Sequence, residues 1–169
     1  VLSYEARCAK GKDWRQALHL LEELRHWGER GQKGEKGEED GWGARADIVS
    51  FNAAINALGL ARQWEKALEL LREMQATGGD IAPNAISFNS AITACGRSGQ
   101  WEQALAILEE MKHSDVPPDQ FSYGAALTTL DWSGQCHRAL ELLEEMRAAK
   151  VPPNKVTYKA VINACVKVC

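Results

Sequence analysis

Trp64-Glu65-Lys66-Ala67-Leu68-Glu69-Leu70-Leu71-Arg72-Glu73-Met74 returns downstream as Trp101-Glu102-Gln103-Ala104-Leu105-Ala106-Ile107-Leu108-Glu109-Glu110-Met111. It returns again from Cys136 through Ala139-Leu140-Glu141-Leu142-Leu143 to Met146, and an earlier copy runs from Trp14 through Ala17-Leu18-His19-Leu20-Leu21 to Leu24. A second block recurs as Phe51-Asn52-Ala53-Ala54-Ile55, Phe88-Asn89-Ser90-Ala91-Ile92, Tyr123-Gly124-Ala125-Ala126-Leu127 and Tyr158-Lys159-Ala160-Val161-Ile162. Its aromatic openers are spaced 37, 35 and 35 residues apart. A fixed period of this length is the mark of a repeat architecture.

Both blocks have a helical period. Phe88, Ala91/Ile92 and Cys95 fall at i, i+3/i+4 and i+7, one stripe of a helix, and Trp101, Ala104/Leu105 and Leu108 do the same. Short breakers such as Arg97-Ser98-Gly99 separate the blocks, and all five prolines, Pro83, Pro117-Pro118 and Pro152-Pro153, lie between repeats, where they end one helix and position the next. Each repeat is therefore a helical hairpin whose apolar stripe needs a neighbour to bury it. The expected fold is all-α, a right-handed α-solenoid of stacked antiparallel helical hairpins. Its units are a partial first repeat (1–27), an insertion (28–47), three repeats (48–84, 85–119, 120–154) and the first helix of a truncated repeat (155–169).

Composition sets limits on function. The 169 residues carry 20 Lys and Arg against 23 Asp and Glu, a formal charge of -3, which argues against indiscriminate polyanion binding through a basic excess. No apolar run approaches the roughly 20 residues of a membrane span, and the start, Val1-Leu2-Ser3-Tyr4, does not read as a signal or transit peptide. The five cysteines form no CxxC pair and no Cys/His zinc spacing. Cys8, Cys95 and Cys165 share a column with Leu58 and Leu130, and Cys136 shares one with Trp14, Trp64 and Trp101. Columns that alternate Cys with Leu or Trp are apolar packing sites, so no disulfides and no metal are expected, in a reducing compartment. Ala17, Ala67, Ala104 and Ala139 share a column where helices approach closely.

The pattern breaks in two places. Residues 28–47 form a Gly/Glu/Lys-rich insertion with six acids and four bases, and Gly28, Gly31, Gly34 and Gly37 fall on a three-residue period. Four triplets without proline are too few for a collagen helix, so this segment reads as a flexible, solvated loop. Trp42 is its one bulky apolar residue, either an exposed aromatic or a docking anchor. At the ends, Val1 aligns with Phe88 inside a helix and Cys169 stops before a partner helix, so a slice of a longer array is expected.

The aromatic-Asn opener, the Ala-Leu-x-Leu-Leu-x-Glu-Met second helix, the Pro-Asp/Asn ending and the 35-residue period resemble the pentatricopeptide repeat family over the whole chain except the insertion. The resemblance implies an array that binds single-stranded RNA in mitochondria or plastids, one base per repeat, with two or three side chains reading each base. In that family the reading positions are the residue after the opening aromatic and the last residue of the repeat. Here they are Asn52 with Asn84, resembling pyrimidine readers, and Asn89 with Asp119, resembling the uracil combination. Gly124 with Asn154 follows, then Lys159 without a closing residue. The positions that sandwich bases are Val49, Ile86, Phe121 and Val156. A basic residue late in the first helix meets phosphate; Lys10, Arg97 and Lys167 fit, whereas Leu60 and Trp132 hold the same column.

Each of these positions also has a purely structural reading. Asp47, Asn84, Asp119 and Asn154 are good N-caps, Val49, Ile86 and Val156 are able to pack between hairpins, and Glu73, Glu110 and Glu145 fit a solvated face. The expected function is sequence-selective, pyrimidine-leaning RNA binding in organellar RNA metabolism. The alternative is a scaffold or accessory subunit of an organellar ribosome or membrane complex, acting through protein–protein contacts. Gly124, Lys159 and the patchy basic column favour that alternative. No enzyme activity and no cofactor are expected: catalytic motifs are absent, and His19, His26, His113 and His137 are dispersed.

Overall fold

A computed structural model describes residues 14–31 and 46–167, with residues 27–31 as backbone only. Among them lie eight α-helices and no strand: α1 (Trp14–Gly31), α2 (Ile48–Leu60), α3 (Trp64–Thr77), α4 (Ala85–Arg97), α5 (Trp101–Lys112), α6 (Gln120–Ser133), α7 (Cys136–Ala148) and α8 (Lys155–Val166). The expected insertion begins inside α1, which runs to Gly31; Cys8, Lys10, Trp42 and Cys169 lie outside the described residues.

The first helices of the hairpins, α2, α4, α6 and α8, pack side by side in one layer. In the other layer α3, α5 and α7 each rest against the first helix of their own hairpin and that of the next. This is an all-α solenoid, and its core follows the repeat columns. Phe51, Phe88 and Tyr123 are each at most 2% exposed, and Met74, Met111 and Met146 are fully buried. Burying a side chain of this size contributes about 1.5–3 kcal/mol. Ala67, Ala104 and Ala139 are also fully buried, where a small residue admits the neighbouring helix.

Two glycines set how close the first helices come. A Cβ on Gly59 would stand 2.9 Å from the Ala94 Cβ, and one on Gly96 only 2.2 Å from Thr129 Oγ1. The helices thus approach closer than any side chain at those positions permits. The longer 37-residue interval is taken up after α3 by a 3₁₀ turn, Gly79–Ile81, entered through Gly78 at φ 60°.

Side chains at fixed columns tie successive second helices together. Arg25 of α1 pairs with Glu73 of α3 at 2.7 Å. Gln75 of α3 donates to Glu110 of α5 at 2.6 Å, and Lys112 of α5 pairs with Glu145 of α7. The carboxylates expected to form a merely solvated face are rungs between hairpins.

A disulfide joins Cys136 and Cys165, correcting the expectation of none. Recurrence within a column shows each cysteine as an apolar residue and says nothing of its neighbours in other columns. The first residue of a second helix lies against the last turn of the following first helix, so these two columns face one another across 29 residues of sequence, with Cα atoms 4.5 Å apart. In the repeat before, the same two columns hold Trp101 and Leu130. Cys95 is a fully buried free thiol, and burial pushes its pKa up to about 12.

Candidate functional site

One stripe of each described first helix carries the sandwiching position, the first reading position and the late-helix position. Val49, Asn52 and Leu60 stand at i, i+3 and i+11 of α2, which places them along one face. The same offsets in α4, α6 and α8 give Ile86, Asn89 and Arg97, then Phe121, Gly124 and Trp132, then Val156, Lys159 and Lys167.

The apolar positions of this stripe are open. Val49 is 66% exposed, Ile86 60%, Phe121 74% and Val156 59%, so none of them is packed between hairpins. Four large apolar side chains in register on one face form a feature that folding alone does not call for.

The residues that end each repeat cap the next first helix. Asn84 Oδ1 accepts from the amides of Ile86 and Ser87, at 3.0 and 3.1 Å. Asn154 Oδ1 accepts from those of Val156 and Thr157. Asp119 Oδ1 takes both the amide and hydroxyl of Ser122, at 2.8 and 2.9 Å. Asp47 does the same with Ser50, and those bonds hold its carboxyl below the usual carboxylate range. In every case a single oxygen serves the cap. Asn84 and Asn154 keep an amide NH₂, and Asp119 keeps Oδ2, without a capping role.

The pairs differ in their closeness. Asn52 Nδ2 donates to Asn84 Oδ1 at 3.5 Å, and Ser87 Oγ donates to Asn52 Oδ1 at 2.6 Å. No hydrogen bond joins Asn89 to Asp119, and Asn89 Oδ1 is buried without a partner among the described residues. Gly124 has no side chain to offer Asn154, yet a Cβ built there would meet nothing within 4 Å. Lys159 is exposed.

The late-helix column is uneven. Lys167 Nζ is held by Asp131, at 2.7 Å from its carbonyl and 2.8 Å from its Oδ1, so it is engaged within the array. Arg97 is half-buried, with Nη1 enclosed and unpartnered among the described residues. Trp132 is 48% exposed. Lys10 lies outside the described residues.

Sequence reasoning missed the hydroxyl column Ser50, Ser87, Ser122 and Thr157. Ser87, Ser122 and Thr157 are fully buried; each closes a capping box, and Ser87 also orients Asn52. A Ser or Thr three residues after every cap was the available signal. Among the described residues no cluster of His, Cys, Asp or Glu is arranged to hold a metal, and no helix is long and apolar enough to cross a membrane.

Comparison with known proteins gives the same architecture. The PPR repeat family profile matches residues 83–130, and a PPR repeat profile matches residues 49–78. The structure of the pentatricopeptide repeat protein PPR10 from maize is 27% identical, matches 95% of this chain and 21% of its own, and superposes with a TM-score of 0.68. PPR10 in complex with an 18-nt psaJ RNA element is 30% identical over 73% of this chain and 18% of that one, with a TM-score of 0.64. The chain therefore spans about a fifth of the length of PPR10. No curated protein sequence matches.

Proposed function

This chain belongs to the pentatricopeptide repeat family, and on that premise we propose that it binds single-stranded RNA with one base per repeat, in organellar RNA metabolism. The observation that carries this reading is the row of exposed apolar side chains, Val49, Ile86, Phe121 and Val156, each one helical turn from a reading position. Such side chains give bases an apolar surface to pack against, and at Phe121, the aromatic member of the row, stacking is worth about 1–3 kcal/mol per base. The RNA-bound state of PPR10 supports the same use of the fold.

The capping bonds give the base preference a chemical origin. In the first pair the cap occupies Asn84 Oδ1, so the pair meets a base with the Asn84 amide as donor. That suits cytosine, whose N3 accepts. In the second pair Asp119 meets the base with a carboxylate oxygen as acceptor, which suits uracil, whose N3–H donates. Both pairs resemble the family's pyrimidine readers, and on that resemblance the proposed preference is for pyrimidines.

A second reading, a scaffold within a larger organellar assembly, is favoured by two observations. Gly124 reads nothing, and Lys167 is held by Asp131 rather than presented to a phosphate. Titrating labelled pyrimidine-rich and purine-rich RNA into the protein at low and moderate salt separates the two. RNA reading requires a pyrimidine preference that Asn89→Ala with Asp119→Ala abolishes. Absence of binding at low salt would leave the scaffold, whose neighbour crosslinking would identify. A fluorescent fusion of the full-length protein tests plastid or mitochondrial residence.

A further inference from the structure

Cys136 interrupts a column that is otherwise indole: Trp14, Trp64 and Trp101 open α1, α3 and α5. The two positions bridged by Cys136 and Cys165 hold Trp101 and Leu130 one repeat earlier. Two thiols fill far less space than an indole and an isobutyl group, so without the S–S bond this junction is underpacked. The covalent bond does between α7 and α8 what apolar contact does between the earlier helices.

The rest of the hold on α8 is light. It buries Thr157, Ala160, Val161 and Ala164, whereas α6 buries Tyr123, Leu127 and Leu130. Tyr158 and Ile162, in the columns of Tyr123 and Leu127, are 43% and 61% exposed. The last turn is fixed to α6 through Asp131, which accepts from Asn163 Nδ2 at 3.3 Å and from Lys167 Nζ at 2.8 Å. Lys167 is exposed, and an ion pair of that kind contributes little by itself. Docking of α8 therefore leans on the disulfide.

The bond lies within reach of a reductant in solution. Cys136 and Cys165 are both half-buried, unlike the fully buried Cys95. Their electrostatic settings differ. Cys136 is the first residue of α7, whose N-cap Gln135 makes no side-chain capping bond, and Cys165 lies in the last turn of α8. A thiolate is stabilised at a helix start and disfavoured at a helix end. Cys136 is thus the better leaving group, and Cys165 is the sulfur attacked.

We propose that Cys136 and Cys165 form a reversible thiol–disulfide switch, opened by a dithiol reductant, that sets whether α8 is docked on α7. One thiolate of the dithiol attacks Cys165 Sγ, and the S–S electron pair leaves on Cys136, which takes a proton from water. The second thiolate then attacks the reductant's own sulfur in the mixed disulfide, and Cys165 leaves as a thiolate that is protonated in turn. Two electrons pass to the protein pair, and the reductant is left as an intramolecular disulfide. Exchange with that oxidised form runs the same steps backward. A bridge beside a free thiol such as Cys95 suits this use, since disulfides in thiol-rich compartments are transient whereas small secreted domains rely on several. The switch does not depend on what the array binds. Its consequence for RNA rests on the reading proposed above: α8 carries Val156 and Lys159, so reduction withdraws that position from the row.

The test places the full chain in buffers set by the ratio of reduced to oxidised dithiothreitol, without denaturant. Alkylation and peptide mapping should find Cys136 linked to Cys165 at the oxidising end, both alkylated at the reducing end, and the bond restored on return. Amide exchange in α8 should quicken by about tenfold or more on reduction, with α2 to α5 unchanged. Cys136→Ser should show the fast exchange at every ratio. Cys136→Trp with Cys165→Leu, the pair of the preceding repeat, should show the slow exchange at every ratio. RNA held by the oxidised chain should bind the reduced chain about fivefold more weakly. A chain that binds no RNA while its α8 exchange still follows the dithiol ratio would uphold the switch and sink the reading. A bond that opens only in denaturant is a static staple and overturns the proposal. So does α8 exchange that ignores the ratio, or a failure of Cys136 and Cys165 to pair at the oxidising end.

Discussion

Asn52 and Asn84, 32 residues apart in sequence, meet with Nδ2 of one 3.5 Å from Oδ1 of the other. Ser87, which is buried, donates its hydroxyl to Asn52 Oδ1 and its backbone amide to Asn84 Oδ1. One carboxamide therefore caps α4 and faces the reading position at once. Asn84→Asp separates the two roles. Aspartate caps as well as asparagine, so denaturant unfolding should shift by less than about 0.5 kcal/mol. The donor becomes an acceptor, and the preference at that position should move from cytosine toward uracil. The loss or gain of one hydrogen bond, about 1 kcal/mol, corresponds to a roughly fivefold change in the affinity ratio of RNAs differing at that base. An unchanged ratio would remove Asn84 from base reading.

The approach of α4 to α6 makes Gly96 intolerant. A methyl there would meet Thr129 Oγ1 at 2.2 Å and Thr129 Cγ2 at 3.1 Å, and Thr129 is held in place by its bond to the Ala125 carbonyl. Gly96→Ala should destabilise the chain by about 1–3 kcal/mol through overpacking. Thr129→Ala in the same chain should recover part of that loss, because it removes the closest atom, Oγ1, together with Cγ2, and leaves only the Cβ at 3.0 Å. Urea unfolding of both single variants and the double variant measures the coupling; strict additivity would show that the helices separate freely.

Stability should decline on the alkaline side. Burial raises Cys95 from an ordinary 9.0 to about 12. Burial first, and then its 3.0 Å bond to Glu145, raises Tyr123 from 10.0 to about 12. Above pH 9 the unfolded chain loses these protons while the folded chain keeps them. The unfolded state then binds fewer protons, so unfolding free energy falls as pH rises from about 9 toward 12. Lys112 acts in the same direction: burial depresses it, Glu109 and Glu145 more than compensate, and the stabilisation is lost as pH climbs through its raised value. Urea midpoints between pH 8 and 10.5 check the slope. Cys95→Ala should delay its onset to the tyrosine range, and a flat profile in the unsubstituted chain would contradict the burial of both groups.

The solenoid was legible because each hairpin repeats the same apolar columns, and columns such as Met74, Met111 and Met146 report burial by recurrence alone. Helix ends were legible for a similar reason: proline junctions and capping residues mark where hydrogen bonding must change hands. Contacts between columns were not. The Cys136–Cys165 disulfide, the Lys112–Glu145 rung and the hold of Asp131 on Lys167 each join positions about 30 residues apart or more. Their partners are fixed by how far one hairpin is rotated on the next, a quantity that periodicity within a helix does not contain. The reading positions stand between these cases. Their columns are visible in sequence, whereas the division of Asn84 between cap and donor depends on the direction of single atoms.

Gly124 gives the sharpest test of the reading row. It stands in α6 where the preceding repeats have Asn52 and Asn89, and space for a side chain is open, since an added Cβ meets nothing within 4 Å. Glycine in a helix is about as unfavourable as any residue but proline, and asparagine is slightly better, so Gly124→Asn should leave stability unchanged or raise it by a few tenths of a kcal/mol. The new carboxamide would face Asn154, whose Oδ1 serves the cap of α8 in the same way that Asn84 serves α4. The variant should therefore acquire a third pyrimidine position, cytosine-leaning, directly after the uracil position set by Asn89 and Asp119. RNA carrying a cytosine there should bind about five- to tenfold tighter to the variant than to the parent chain, with purines at that position gaining nothing. Equal gains for all four bases would mean that the added amide sticks to RNA without reading it, and no gain at all would place the strand elsewhere on the array.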